Sequence, residues 1–194
     1  MNNGTISNTE PFREGMETLL RKVKPISIAY YRTVTADRAI IGRFPSIEGS
    51  IISGGRFNIP GQFGALYLST NPQTALEEAI QTTRRAGFQE WKPKTIVEIK
   101  FQDILLLNLE NRNNLEQIQI DSKELEIDWN EENKHGRIAP SQLVGKIARD
   151  CGFEAILVRS QLIREAYNVA VFLDKIPDGN VIITCEDRLP VGYR

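Results

Sequence analysis

Apolar side chains recur along this chain with two different periods, and the switches between them mark out its elements. Phe12, Met16, Leu19, Leu20 and Val23 fall at helical spacing, so Pro11 to about Val23 is predicted as an amphipathic helix. Pro25 ends it. Ile26 to Val34 is β-branched and aromatic and reads as a strand. Ala65 to Ser69 is a short strand, after which Thr70-Asn71-Pro72 sets up a helix, with Thr70 or Asn71 as cap and Pro72 at its first position. That helix is expected to run to about Arg85 and to stop at Gly87. Thr95 to Phe101 and Ile104 to Leu109 are two strand candidates separated by Gln102-Asp103. Pro140 to Asp150 reads as a helix with Leu143, Ile147 and Ala148 on one face and Gly152 beyond its end. Ala155 to Val158, Asn168 to Leu173 and Val181 to Thr184 are three late strands. Strands dominate, helices are interspersed irregularly and no βαβ rhythm repeats, so the predicted class is α+β.

Three stretches lack this periodicity. Residues 1 to 10, rich in Asn, Thr and Ser, read as a disordered leader, which leaves 11 to 194 as a single domain. Residues 35 to 63 carry Gly42, Gly49, Gly54, Gly55, Gly61, Pro45 and Pro60; an irregular segment of that length is usually functional or mobile. Residues 110 to 137 are highly polar and read as a solvated surface excursion holding a short helix and an edge strand at Leu125 to Trp129.

Composition narrows the function classes. The 194 residues carry 24 basic and 25 acidic side chains and a net charge of -1, so no global positive field draws in nucleic acid. A nuclease reading is the weakest, because basic and aromatic runs do not interleave. Cys151 and Cys185 are too few and too far apart for a disulfide framework or a metal-ligand pair, and are expected to be small, buried and reduced. The polar N-terminus shows no apolar secretory core, and no apolar run approaches the roughly 20 residues that span a bilayer. The expected location is cytoplasmic.

The candidate chemistry begins at Ser53-Gly54-Gly55-Arg56-Phe57-Asn58. Consecutive glycines permit close approach of another group, and the arginine that follows offers a planar fork of donors suited to phosphate or carboxylate. Tyr67, in a predicted strand, serves either as core packing or as an aromatic wall for a flat ligand, and the electron-rich face of such a ring favours a cationic one. On the next helix Ala75, Leu76, Ala79, Ile80 and Thr83 cover the inward arc, and Glu78 lies outside its middle, either solvated or facing a cleft. Tyr31-Arg32 closes the first strand. Arg159-Ser160 closes a late one, with no nucleophile elbow around Ser160.

In order and spacing these pieces resemble the RES-domain family: Tyr31-Arg32, Gly54 to Asn58, Tyr67 to Ser69, Ala75 to Glu78, Val158 to Ser160, and Asn168. The resemblance spans about residues 30 to 174, and Gly-Gly-Arg-Phe-Asn is its most specific part. It implies an ADP-ribosyltransferase-like fold with mixed β-sheets and flanking helices, and consumption of NAD+ as a substrate; no cofactor is then expected, and no metal, because the leaving group departs from a quaternary nitrogen and the sequence offers no metal-ligand cluster. It also implies, for many members, a toxin paired with a helix-turn-helix antitoxin of Xre type. The Arg, Glu and Ser that name the family fall on Arg56, Glu78 and Ser160, with Arg32 a second arginine candidate. Members often carry a His one helical turn after the Glu, where this chain has Thr82; the only histidine, His135, lies in the polar excursion.

The roles expected on this basis are Arg56, and Arg32, on the NAD+ pyrophosphate, Tyr67 against the nicotinamide ring, Glu78 facing the anomeric carbon, and Ser160 on the carboxamide or ribose. Tyr31, Gly54, Gly55, Asn58 and Ser69 complete the expected binding set. Two rival readings share these residues: transfer of ADP-ribose to a protein, and a degenerate NAD- or partner-binding module, towards which Thr82 points.

Overall fold

The computed structural model describes residues 9–35, 46–85, 94–163, 165–177 and 179–184. Residues 1–8 of the expected leader, residues 36–45 and 86–93, and Cys185 lie outside the described residues. The first helix, α1 (Glu10–Leu20), has Pro11 in its opening turn and buries Phe12 and Met16, one turn apart on its inner face. The strand that follows, β1 (Ile26–Thr35), is the longest partner of β3 (Lys94–Ile104). Between them come a short helix, α2 (Glu48–Ser53), the strand β2 (Leu66–Ser69) and the helix α3 (Pro72–Arg85). Asn71 is the cap residue that the sequence left open with Thr70: its side chain accepts from the Thr74 N–H at 2.8 Å.

The predicted break at Gln102-Asp103 is not a break. β3 runs through it, and the irregularity is a bulge in which Phe101 to Ile104 stands opposite Ile28 to Ile26. Asp103 takes a positive φ of 53° there, and its N–H and carboxylate both meet the Ser27 hydroxyl. The next strand, β4 (Leu106–Asn108), therefore starts after Leu105.

The excursion holds no edge strand. It contains α4 (Arg112–Gln117), a 3-10 turn (Ser122–Glu126) and α5 (Trp129–Lys134). Asn111, Asp121 and Asp128 each accept backbone N–H groups at the start of these pieces, so side-chain capping wins over the β propensity of Leu125 to Trp129. The chain then forms α6 (Pro140–Cys151), β5 (Ala155–Arg159), β6 (Tyr167–Val171), a 3-10 turn (Leu173–Lys175) and β7 (Val181–Thr184). Cys151 ends α6 half-buried, more open than expected, and burial still raises its thiol pKa.

The strands form one mixed sheet in the order β4-β5-β6-β2-β1-β3-β7, with β4 and β5 parallel. One face packs on α1, α6 and the excursion, burying Phe12, Met16, Ile118, Leu125, Ile147 and Ile156 among others. The opposite face buries Tyr30, Leu66, Leu68, Val97, Ile99 and Val169. Its weak line lies in the middle: among the described residues β1 and β2 pair only at Tyr31 with Ser69. Two half-sheets therefore meet at a seam where the pairing is short. No helix among the described residues is long and apolar enough to cross a membrane.

Candidate functional site

A cavity of about 570 Å³ opens at that seam, between β1, β2, α3 and the glycine-rich loop after α2. Its floor follows from register. Tyr31 pairs with Ser69, Ser69 with Asn168 and Asn168 with Val158, so these four side chains stand in one row on one face of the sheet. α3 packs across β1 and β2 and carries Glu78 to this row.

Glu78 is held by polar neighbours whose proton directions can be worked out. The Ser160 hydroxyl accepts the N–H groups of Leu162 and Ile163, both at 3.1 Å, so its own proton is left to donate to Glu78 Oε1 at 2.6 Å. Asn168 accepts from the Ser69 hydroxyl through Oδ1 at 3.1 Å and donates through Nδ2 to the same Glu78 oxygen at 2.7 Å. Ser69 and Ser160 are both buried. A backbone turn and a strand residue thus fix the direction of one carboxylate at the cavity wall. The Ser160 hydroxyl is buried and engaged by these three contacts, so its geometry is that of a group acting through the carboxylate.

The loop Gly54 to Asn58 forms the opposite wall. Gly54 ends α2 with φ 73° and ψ −172°, a conformation essentially confined to glycine. Gly55 is required by space: a Cβ there would fall on the Tyr67 hydroxyl and 2.7 Å from Asn58 Oδ1. The Tyr67 hydroxyl donates to that Oδ1 at 2.8 Å and accepts the Phe57 N–H at 2.9 Å. Burial pushes the phenol pKa above its ordinary range, against the opposing effects of the Phe57 N–H, the Arg56 charge and the Asn58 contact. The hydroxyl is a loop strut, and the residue also lines the cavity. Asn58 is wholly buried; its Nδ2 donates to Ser50 O at 2.7 Å and Phe63 O at 3.0 Å, so it holds the loop from inside and does not reach the cavity.

Arg56 projects from this loop and bridges two other segments. Its Nη1 donates to Arg159 O at 2.9 Å, and its Nε and Nη2 both donate to Leu125 O, at 3.3 and 3.1 Å. Burial lowers its pKa from the ordinary value, offset by Glu110, Glu126, Tyr67 and Glu78 nearby. Three of the five guanidinium N–H groups are engaged by carbonyls, which leaves one on each of Nη1 and Nη2 for a ligand. The excursion is therefore not simply solvated. Arg56 binds it to the loop, and its Trp129 lines the cavity. Arg32 reaches the cavity from the other side of the seam. By strand alternation it leaves β1 on the face of Tyr30 and Val34, whereas Tyr31 shares the face of Ser69.

The structure thus gathers Glu78, Arg56, Tyr67, Tyr31, Ser69, Gly54 and Gly55 at one cavity, with Arg32 at its edge and Ser160 and Asn58 in support. The Thr82 side chain lies outside the described residues. Three contributors received no role from the sequence. Asn168 is a polar residue opening an otherwise apolar strand, a signal that was present. Gln142, fully buried on α6, donates to Gly55 O and Asn58 O, both at 3.1 Å, and pairs with Asn133 at 2.8 Å. Its position three residues after Ala139, whose N–H it caps at 3.1 Å, is a helix-start signal that hides the loop contact. Trp129 carried no signal beyond being an aromatic residue in a polar run.

Comparison with known proteins places this geometry. The RES domain family model matches residues 29–191, which contain every cavity residue named above. No curated protein matches the chain. Among solved structures, a chain of the M. tuberculosis MbcT-MbcA toxin-antitoxin complex is similar, with a TM-score of 0.66 at 20% identity, covering 90% of this chain and 91% of that one.

Proposed function

The chain belongs to the RES-domain family, with the α+β, ADP-ribosyltransferase-like fold that the resemblance implied, and from that premise we propose that it cleaves NAD+ at the bond between nicotinamide and ribose. The observation that carries this reading is Glu78 Oε1, clamped by Ser160 and Asn168 at the wall of a cavity that Tyr67 and Arg56 also line. NAD+ is the substrate, and the reaction needs no further cofactor.

In the mechanism we propose, the C1′–N bond breaks with its electron pair leaving on the pyridinium nitrogen, which neutralises that ring and requires no proton. Positive charge then develops at C1′, as in glycoside hydrolysis, and a carboxylate fixed in advance lowers that barrier electrostatically. Fixing it beforehand matters, because a carboxylate that reorients during the reaction returns part of the gain. The Tyr67 ring offers its face to the cationic nicotinamide, and the remaining Arg56 N–H groups meet the pyrophosphate. Water bonds to C1′ and releases one proton, giving ADP-ribose and nicotinamide.

The test is purified protein with NAD+, monitored for nicotinamide and ADP-ribose, beside Glu78→Ala and Arg56→Ala. Wild type should release both products, and Glu78→Ala should lose about a hundredfold or more in kcat, the scale of one lost transition-state contact. Equal rates in wild type and Glu78→Ala would refute the role. Label appearing on a protein instead of free ADP-ribose would make the reaction a transfer, and tight NAD+ binding without nicotinamide release would make the site a binding module. The likeness to a toxin-antitoxin complex supports a further part of the proposal: that the chain acts as a toxin and pairs with an antitoxin of Xre type. Growth arrest on expression, relieved by Glu78→Ala, would test the toxic role.

A further inference from the structure

The excursion brings one aromatic side chain to the cavity. Trp129 is half-buried while its neighbours Asp128 and Asn130 are exposed, and it lines the same cavity as Arg56 and Leu162. The segment around it is tied down by several side-chain contacts. Asp128 accepts the N–H groups of Asn130 and Glu131, Asn133 pairs with the buried Gln142, and Gln161 Nε2 donates to Glu126 O at 3.3 Å. Arg56 adds its two bonds to Leu125 O, four residues before the indole. A large flat side chain presented from a polar segment and held this firmly is the usual construction of a stacking platform.

The contacts also link the segments that carry these groups. Glu78 lies against Ser160 and Asn168; Arg56 bonds Arg159 O, adjacent to Ser160, and Leu125 O, four residues before Trp129. Carboxylate, guanidinium and indole thus line one cavity, three groups suited to the nicotinamide riboside, pyrophosphate and adenosine of NAD+. We propose that Trp129 is a specificity-determining residue that stacks on the adenine ring, so that the site selects a dinucleotide over a nicotinamide mononucleotide. This rests on the NAD+ reading above. Gln142 is then a positioning residue, because it ties the helix carrying Trp129 to the loop carrying Arg56.

Two measurements test this separately from the cleavage chemistry. In the first, wild type, Trp129→Ala and Trp129→Phe are assayed with NAD+ and with nicotinamide mononucleotide. Trp129→Ala should raise KM for NAD+ about tenfold, the size of one base–aromatic stack, raise KM for the mononucleotide far less, and be largely rescued by Trp129→Phe. Equal losses on both substrates, or no loss on NAD+, would overturn the assignment. In the second, Trp91→Phe leaves Trp129 as the one indole of the chain, and its fluorescence is titrated with ADP-ribose, AMP and nicotinamide mononucleotide. Quenching by the two adenine compounds alone supports the stack; no response to ADP-ribose, or equal quenching by the mononucleotide, refutes it. If wild type releases no nicotinamide from NAD+, the cleavage reading fails while this titration still decides the role of Trp129.

Discussion

Replacing Tyr67 by phenylalanine separates its hydroxyl from its ring. The hydroxyl makes two bonds inside the protein, accepting the Phe57 N–H at 2.9 Å and donating to Asn58 Oδ1 at 2.8 Å. Phe57 is 1% exposed and Asn58 0%, so Tyr67→Phe leaves one donor and one acceptor buried without a partner. Each such group costs about 1–3 kcal/mol, and the two together about 2–6 kcal/mol. For a chain of this size that corresponds to a fall in Tm on the order of 5–20 °C. Urea denaturation followed by circular dichroism gives the free energy, and a calorimetric scan gives the Tm. A loss below about 0.5 kcal/mol would mean that the loop re-forms its bonds without the hydroxyl, and the account of Tyr67 as a strut would be wrong.

Three further outcomes follow from the same geometry. Ser160→Ala should lower kcat about tenfold with little change in KM, because it loosens Glu78 rather than a substrate contact, and Ser160→Thr should restore part of the rate; an unchanged kcat in Ser160→Ala would remove Ser160 from the mechanism. Gly55→Ala should destabilise the fold by about 1–3 kcal/mol, since its Cβ displaces the Tyr67–Asn58 pair; a stability within about 0.5 kcal/mol of wild type in urea would refute that. The Tyr30 hydroxyl is buried with no hydrogen-bond partner among the described residues, and burial pushes its pKa from 10.0 up to about 12. Above pH 10 the unfolded chain gives up this proton while the folded one keeps it, so stability falls with pH, by about 1.4 kcal/mol per unit until the folded group also titrates near 12. Tyr30→Phe should remove this share of the slope, leaving that of the buried Tyr67 phenol, and be neutral or stabilising below pH 10, as denaturation midpoints across pH 8 to 12 would show.

Local signals in the chain were enough for the elements flanking the site. The helix from Pro72 and the strand ending at Ser69 appear where spacing and capping residues place them, because propensity and burial agree there. They disagree in two places. At Gln102-Asp103 a polar pair looks like a turn, yet pairing with β1 as far as Ile104 carries the strand through it as a bulge, with the Gln102 N–H on Asn180 O. At Leu125 to Trp129 the residue types favour a strand, but Asp121 and Asp128 capture the backbone first, and Leu125 is buried singly rather than in alternation.

What the order of residues determined is the family and the set of groups brought to the cavity. Gly54 and Gly55 must be glycine for a backbone torsion and for a close approach, and such demands leave a motif that is readable without coordinates. What folding added is the use made of each group. Arg56 spends three donors on carbonyls 69 and 103 residues away, Ser160 turns its proton towards a carboxylate 82 residues away, and Gln142 reaches back to the loop. Those partners are chosen by strand order and by the seam between β1 and β2, which no local pattern encodes, because hydrogen bonds at this range depend on packing between elements rather than on spacing along the chain.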